Sequence, residues 1–210
     1  CHDLAVPQPD PGYFNQYLDA RNTFYWDKHA FQSGVVDYTK ARLRHWYHLD
    51  VGPQWPPFLP WTTSNVIESV KYPLENRIWY NYPNQFWGGA SGTLNKPNRI
   101  ARILDDGTTQ LALTDYNALG NATREVDALS REVDYQYAAN QVDVLGITRK
   151  TSATGFSTLA TYTYNAQHRP LTYTDAAGKV TVYTYNAAGQ LTKQTNALGQ
   201  STSYIYNALG

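Results

Sequence analysis

The chain has 210 residues and a formal net charge of zero, with 17 Lys and Arg against 17 Asp and Glu, so it offers no electrostatic case for binding nucleic acid or an anionic membrane. Eighteen tyrosines, no methionine and a charged fraction of 16% favour strands over helices. The single cysteine, Cys1, excludes an internal disulfide, and no apolar run approaches the ~18 residues that a membrane-spanning helix needs.

Three stretches follow one another along the chain. Residues 1–38 are irregular and rich in proline and aromatics, with Pro7, Pro9 and Pro11 early on. Cys1 admits two readings, a lipidated amino terminus or a fragment boundary. Residues 39–98 read as divergent, Trp-rich β-hairpins. A strand is expected over Ala41 to Leu49, and Val66 to Tyr72, the turn Pro73-Leu74-Glu75-Asn76 and Arg77 to Tyr82 form a hairpin. Tyr80-Asn81-Tyr82-Pro83-Asn84 reads as a degenerate form of the unit that follows. All six tryptophans (Trp26, Trp46, Trp55, Trp61, Trp79, Trp87) precede residue 98.

From residue 99 the composition changes to Tyr, Thr, Asn, Ala and Gly. Arg102 to Thr109, turning at Asp105-Asp106-Gly107, leads into a regular array over 99–210. Tyr162-Thr163-Tyr164-Asn165-Ala166 recurs as Tyr183-Thr184-Tyr185-Asn186-Ala187 and Tyr204-Ile205-Tyr206-Asn207-Ala208, each step being 21 residues. The register extends upstream to Tyr135-Gln136-Tyr137 and to Tyr116. One step, from Tyr137 to Tyr164, is 27 residues, which places six extra residues around Thr148 to Phe156. Gly120, Gly178, Gly189, Gly199 and Gly210 punctuate the array. In turns such as Asn186-Ala187-Ala188-Gly189, the Asn side chain hydrogen-bonds backbone two residues on, and Gly takes positive φ to close a type I turn. Gln141 and His168 stand where Gly is expected. Histidine tolerates positive φ, and Asn140 is expected to take the left-handed position in a shortened turn. Tyr183 and Tyr185 share one sheet face and Thr184 the other, so stacked hairpins place tyrosines in columns. The fold class is therefore all-β, built of repeated antiparallel hairpins. Gly210 completes the first turn of a further unit, so the expectation is a segment of a longer array.

Tyr183-Thr184-Tyr185-Asn186-Ala187-Ala188-Gly189-Gln190-Leu191 resembles the consensus of the YD-repeat, or RHS-repeat, family. The resemblance covers 99 to 210 and reaches into 39 to 98, with Asn in place of the family's Asp at 165, 186 and 207. It implies a β-sheet that spirals into a shell, as part of a long secreted or cell-surface protein. Bacterial members include toxin-delivery proteins whose shell encloses a toxic domain; animal relatives are adhesion receptors. The partners so implied are the rest of the same polypeptide or neighbouring repeat-containing chains, an enclosed toxin domain, or a surface glycan.

No constellation for catalysis emerges: Gly-x-Ser-x-Gly, phosphate-loop and dinucleotide patterns are absent, and no cofactor or metal is expected. His45 and His48 fall on opposite faces of a strand, so a satisfied or solvent-facing histidine is expected rather than a metal pair. Asp105-Asp106-Gly107 lacks calcium-loop spacing and reads as a turn. Glu125, Asp127, Glu132 and Asp134, with Arg124 and Arg131, read as a solvated charged face. Asn121-Ala122-Thr123 has the form of a glycosylation acceptor, meaningful only in a eukaryotic secretory setting. Among the tryptophans, Trp55 and Trp61 are the candidates for binding a carbohydrate, against the alternative that they pack the irregular end.

Overall fold

The computed structural model describes residues 22–31, 34, 36–49, 62–85 and 92–207, except for the side chains of 48, 49 and 62. Gly210, Trp55, Trp61, Trp87 and Cys1 lie outside the described residues. Fourteen strands pair in sequence order within one sheet, each antiparallel to its neighbour wherever the register is defined. Among the described residues the one other element is a three-residue 3-10 helix, Tyr38–Lys40, capped by Asp37. A sheet of consecutive hairpins follows from a sequence whose turn residues recur every ten or eleven positions, because each turn returns the chain alongside its predecessor. The chain divides into two compact units: Cys1–Thr114 with Asp127–Leu129, and Asp115–Val126 with Ser130–Gly210.

The first unit contains β1 (Asn22–Tyr25), β2 (Arg42–Leu49), β3 (Thr62–Lys71), β4 (Ile78–Asn81), β5 (Arg99–Ile103) and most of β6 (Thr109–Tyr116). The expected turns at Pro73 to Glu75 and at Asp105 to Gly107 are present, with Leu74 and Gly107 at φ 62° and 81°. β1 lies in the stretch that the sequence left without an element. The core is aromatic and unusually polar: Tyr47, Trp79 and Tyr82 are buried together with His45, Ser69, Glu68 and Arg77. The Tyr47 and Tyr82 rings meet edge to face at 5.8 Å.

The second unit contains β7 (Ala122–Val126), β8 (Glu132–Tyr137), β9 (Val144–Lys150), β10 (Phe156–Tyr164), β11 (Pro170–Asp175), β12 (Val180–Tyr185), β13 (Leu191–Thr195) and β14 (Ser201–Ser203). The six extra residues lengthen β9 and β10, which meet through the turn at 151–155. Strand alternation is clean: along Val180 to Tyr185, Thr181, Tyr183 and Tyr185 are half-buried while Val180, Val182 and Thr184 are exposed. Opposite the tyrosines, hydroxyls pair across strands, Thr163 with Thr172 at 2.6 Å and Thr195 with Ser201 at 2.9 Å.

The turns have the expected chemistry. In Asn196 to Gln200, the Gly199 N–H donates to the Asn196 carbonyl, and Asn196 Oδ1 accepts from Leu198 N and Gln200 N. Asn165 and Asp175 repeat this pattern. Gly178, Gly189 and Gly199 all lie at φ 76–78°. His168 takes the same conformation at φ 60°. At Asn140 the expectation fails. Gln141, not Asn140, is left-handed at φ 60°, and the turn is longer by one residue, closed from Ala138 N to Asp143 O. Asn140 is occupied otherwise, its Oδ1 accepting from Val142 N and Asp143 N.

Candidate functional site

Two features stand out from the regular ladder: the lateral bonds that tie each hairpin to the one before, and the polar pairs buried within the sheet. The first is built from the second tyrosine of the Tyr-x-Tyr pair. Tyr137 donates its hydroxyl to the Ala122 carbonyl, Tyr185 to Pro170 and Tyr206 to Leu191, each 15 residues back and at 2.8–2.9 Å. Tyr82 does the same to Ile67 at 2.6 Å, so the divergent Tyr80-Asn81-Tyr82 segment carries the same device. Burial raises the hydroxyl pKa of Tyr137 and Tyr185, and pushes that of Tyr82 up to about 12. These hydroxyls are held as neutral donors. Tyr162 instead packs on Tyr173 and Tyr164, with ring centroids 5.3 and 6.3 Å apart. Tyr116, Tyr135, Tyr164 and Tyr183 are half-buried, whereas Tyr204 is 39% exposed.

Along the edge formed by the turns at 117–121, 138–143, 165–169 and 186–190, successive turns also bond to one another. Gln141 receives hydrogen bonds on its carbonyl from Asn117 Nδ2 and Asn121 Nδ2, and on Oε1 from Ala118 N. His168 Nδ1 lies 2.8 Å from Asp143 Oδ2 and 3.1 Å from Asn140 Nδ2. The Arg169 guanidinium lies 5.8 Å from the Tyr185 ring centre and covers Gly189, where an added Cβ would meet Nε at 2.6 Å. The two positions that depart from glycine are thus the two whose side chains reach the preceding turn. On the opposite edge, the turns at 151–155, 175–179 and 196–200 exchange no hydrogen bonds with one another among the described residues. The Asn121 amide is engaged within this stitched edge, leaving the glycosylation pattern without a free amide.

The charged cluster is a solvated face only in part: Glu125 and Arg131 are exposed, but Glu132 is not. Glu132 is 8% exposed, and its Oε2 lies 3.0 Å from Arg124 and 3.1 Å from Lys150. Arg124 also reaches Asp115 at 3.2 Å. The Arg124 hydrogen bond, followed by that from Lys150, holds the Glu132 carboxyl below its ordinary range. Tyr135 donates to Glu125 at 2.8 Å, and burial with that bond pushes its phenol up to about 12. The sequence grouped Glu132 with Arg124 but not with Lys150, which arrives from the neighbouring strand 18 residues away.

His45 is fully buried, with Nδ1 hydrogen-bonded to Asn22 Oδ1 at 2.9 Å and Nε2 3.0 Å from Glu68 Oε2, close enough for an ion pair but not aligned as a hydrogen bond, so the ring is satisfied on one nitrogen only. Among the described residues, no three His, Cys, Asp or Glu side chains gather to hold a metal, and no helix is long and apolar enough to cross a membrane. Asp106 closes a turn by accepting from Thr108 N and Oγ1, which lowers its carboxyl pKa.

A family model described as RHS Repeat matches residues 185–210, the Tyr-Asn-Ala-Ala-Gly turn and the hairpin after it. Over those residues the chain carries an RHS repeat. No curated protein matches it. Solved structures do match: the crystal structure of TcdB2-TccC3 is 11% identical with a TM-score of 0.50, covering 82% of this chain and 10% of that one. The crystal structure of TcdB2-TccC3-Cdc42 is 10% identical with a TM-score of 0.50, covering 81% and 10%. The Photorhabdus luminescens Tc holotoxin pore with mutation TccC3-D651A matches at 12% identity and a TM-score of 0.48, covering 82% and 10%. At such identities the likeness is one of fold. The chain spans about a tenth of the length of those structures.

Proposed function

We propose that this RHS-repeat chain is a stretch of wall in a large secreted or cell-surface protein, where the sheet encloses or scaffolds another part of the polypeptide, such as a toxin domain. The observation that carries this reading is the stitching of each hairpin to its predecessor through backbone-directed tyrosine hydroxyls and turn side chains. Such bonds make a continuous surface in which every unit is defined by its neighbours. The test is limited proteolysis of the full-length polypeptide that contains these repeats. An enclosed segment resists cleavage until denaturant opens the sheet, and one cleaved at the rate of the same segment expressed alone refutes enclosure.

A second reading, adhesion through a glycan, draws on a cluster in the first unit. Phe24 and Tyr38 are 37% and 62% exposed and pack on Trp26, with ring centroids 4.9–5.9 Å apart. Aromatic faces of this kind stack on sugar rings, and Trp55 and Trp61 follow in the next stretch of the sequence. Glycan-array binding that is lost on changing Trp55, Trp61 or Tyr38 to Ala supports this reading over the first.

A further inference from the structure

The two exceptions to the turn glycine differ in one respect: Gln141 contributes neutral hydrogen bonds, whereas His168 contributes a titratable ring. His168 holds φ 60°, a conformation that glycine adopts freely at the equivalent Gly189. Its ring leaves its own turn and meets the preceding one, with Nδ1 2.8 Å from Asp143 Oδ2. Asp143 is 8% exposed and anchored by Asn140, whose Nδ2 lies 2.7 Å from the same oxygen. Because Asn140 Oδ1 accepts from two backbone N–H groups, its NH2 is oriented toward Asp143 and the ring. Asp143 Oδ2 thus lies within hydrogen-bond reach of both the Asn140 amide and the imidazole, and the Asn140 Nδ2 is itself 3.1 Å from His168 Nδ1.

We propose that the His168–Asp143 contact is a pH-responsive tie between successive repeats, tightened by mild acid. With a neutral ring, Nδ1–H donates to a carboxylate in an ordinary hydrogen bond. Protonation at Nε2, on the solvent side of a side chain that is 58% exposed, turns the same contact into an ion pair with a charge-assisted bond. The groups around the ring allow this. The preceding turn presents only the Asp143 charge, the ring's own strand presents the Tyr164 phenol, and the following turn presents no titratable side chain. Arg169, adjacent in the chain, is directed away onto Gly189 and Tyr185. The His168 bond, then the Asn140 bond, hold the Asp143 carboxyl below its ordinary range, so it stays ionised while the ring gains its proton. The tie is thus strongest where the ring carries its second proton and Asp143 is still ionised. Strong acid releases it.

The test compares the wild-type chain with His168→Asn, since Asn tolerates the left-handed backbone but carries no charge. Thermal midpoints are read at about pH 8 and about pH 5.5, on either side of histidine titration. The wild-type advantage over His168→Asn is expected to grow by about 1–3 °C at the lower pH, and to show no such growth in an Asp143→Asn background. An equal advantage at both pH values overturns the proposal. Should Asp143→Asn not fold, hydrogen exchange of the Ala138 and Gln141 amides in the wild-type chain decides, after correction for intrinsic rates. Protection that rises on mild acidification supports the tie, and protection that stays flat or falls overturns it.

Discussion

Gly178 and Gly189 make a controlled comparison, because both close Asx-type turns in the left-handed region, at φ 76° and 78°, and only their surroundings differ. Replacing either with Ala puts a Cβ where L-residues are disfavoured by about 1–2 kcal/mol, offset by about 0.4–1 kcal/mol from the stiffer unfolded chain. Those contributions are common to both sites. At Gly178 the new methyl meets nothing within 4 Å. At Gly189 it lands 2.6–2.9 Å from Nε, NH2 and Cζ of Arg169. The end of a flexible side chain yields rather than the backbone, so the added penalty is the loss of the guanidinium's contact with Tyr185. That contact, at a half-exposed site, is worth about 0.5–1 kcal/mol. Gly189→Ala should therefore destabilise by about 0.5–1 kcal/mol more than Gly178→Ala, read as the difference in urea midpoints followed by far-UV circular dichroism. In an Arg169→Ala background the two substitutions should become equal. If the two glycines are equivalent with Arg169 in place, or the gap survives its removal, the account of that turn is wrong.

The other predictions follow from the same edge and from the buried phenols. Tyr185→Phe removes the hydroxyl bond to Pro170 and should lower stability by about 1 kcal/mol in urea titration, whereas Tyr183→Phe, which loses no such bond among the described residues, should lower it by less than half as much. Gln141→Gly relieves about 1–2 kcal/mol of left-handed strain but forfeits a bond from Ala118 N worth about 0.5–1.5 kcal/mol, so its urea midpoint should stay within about 1 kcal/mol of wild type. Tyr82 and Tyr135 have folded values raised from 10 to about 12, so their contribution is complete below pH 10 and is lost as pH rises through about 12. Absorbance titration of phenolate should show a late-ionising fraction that shrinks in Tyr135→Phe. Glu132 and Asp143 have lowered folded values, so their contribution is present above about pH 4 and disappears as pH falls through those values; acid unfolding of Glu132→Gln should start from a less stable state and show a shallower pH dependence.

What was legible in the sequence was whatever depends on residues close together in the chain. The period of 21, the Asn and Gly turn positions and the alternation of Tyr183, Thr184 and Tyr185 are local, and from β5 onward the strand order follows from short turns that leave no room for crossovers. Hairpin-to-hairpin contacts were not legible. Glu132 finds Lys150 because β8 and β9 lie side by side, and single-strand alternation says nothing of what stands on the next strand. Asn140 was misassigned because its preference for positive φ competed with its ability to cap the backbone, and capping prevailed. The 15-residue reach of the tyrosine hydroxyl was discoverable, since Tyr137, Tyr185 and Tyr206 keep a constant offset from the residue that begins the preceding strand.

The contrast between the two edges of the second unit has a mechanical consequence. Where the turns are bonded to one another, the pitch between hairpins is set by side chains of fixed length. Where the turns at 175–179 and 196–200 stand apart, with Gly178 and Gly199 meeting nothing within 4 Å, the spacing is free to vary. A sheet constrained in this way behaves like a bound book: the spine keeps the leaves in order while the fore-edge spreads. Deformation, proteolytic nicking and accommodation of unequal repeats, such as the long hairpin of β9 and β10, will gather at the fore-edge, and the order of the leaves will survive them.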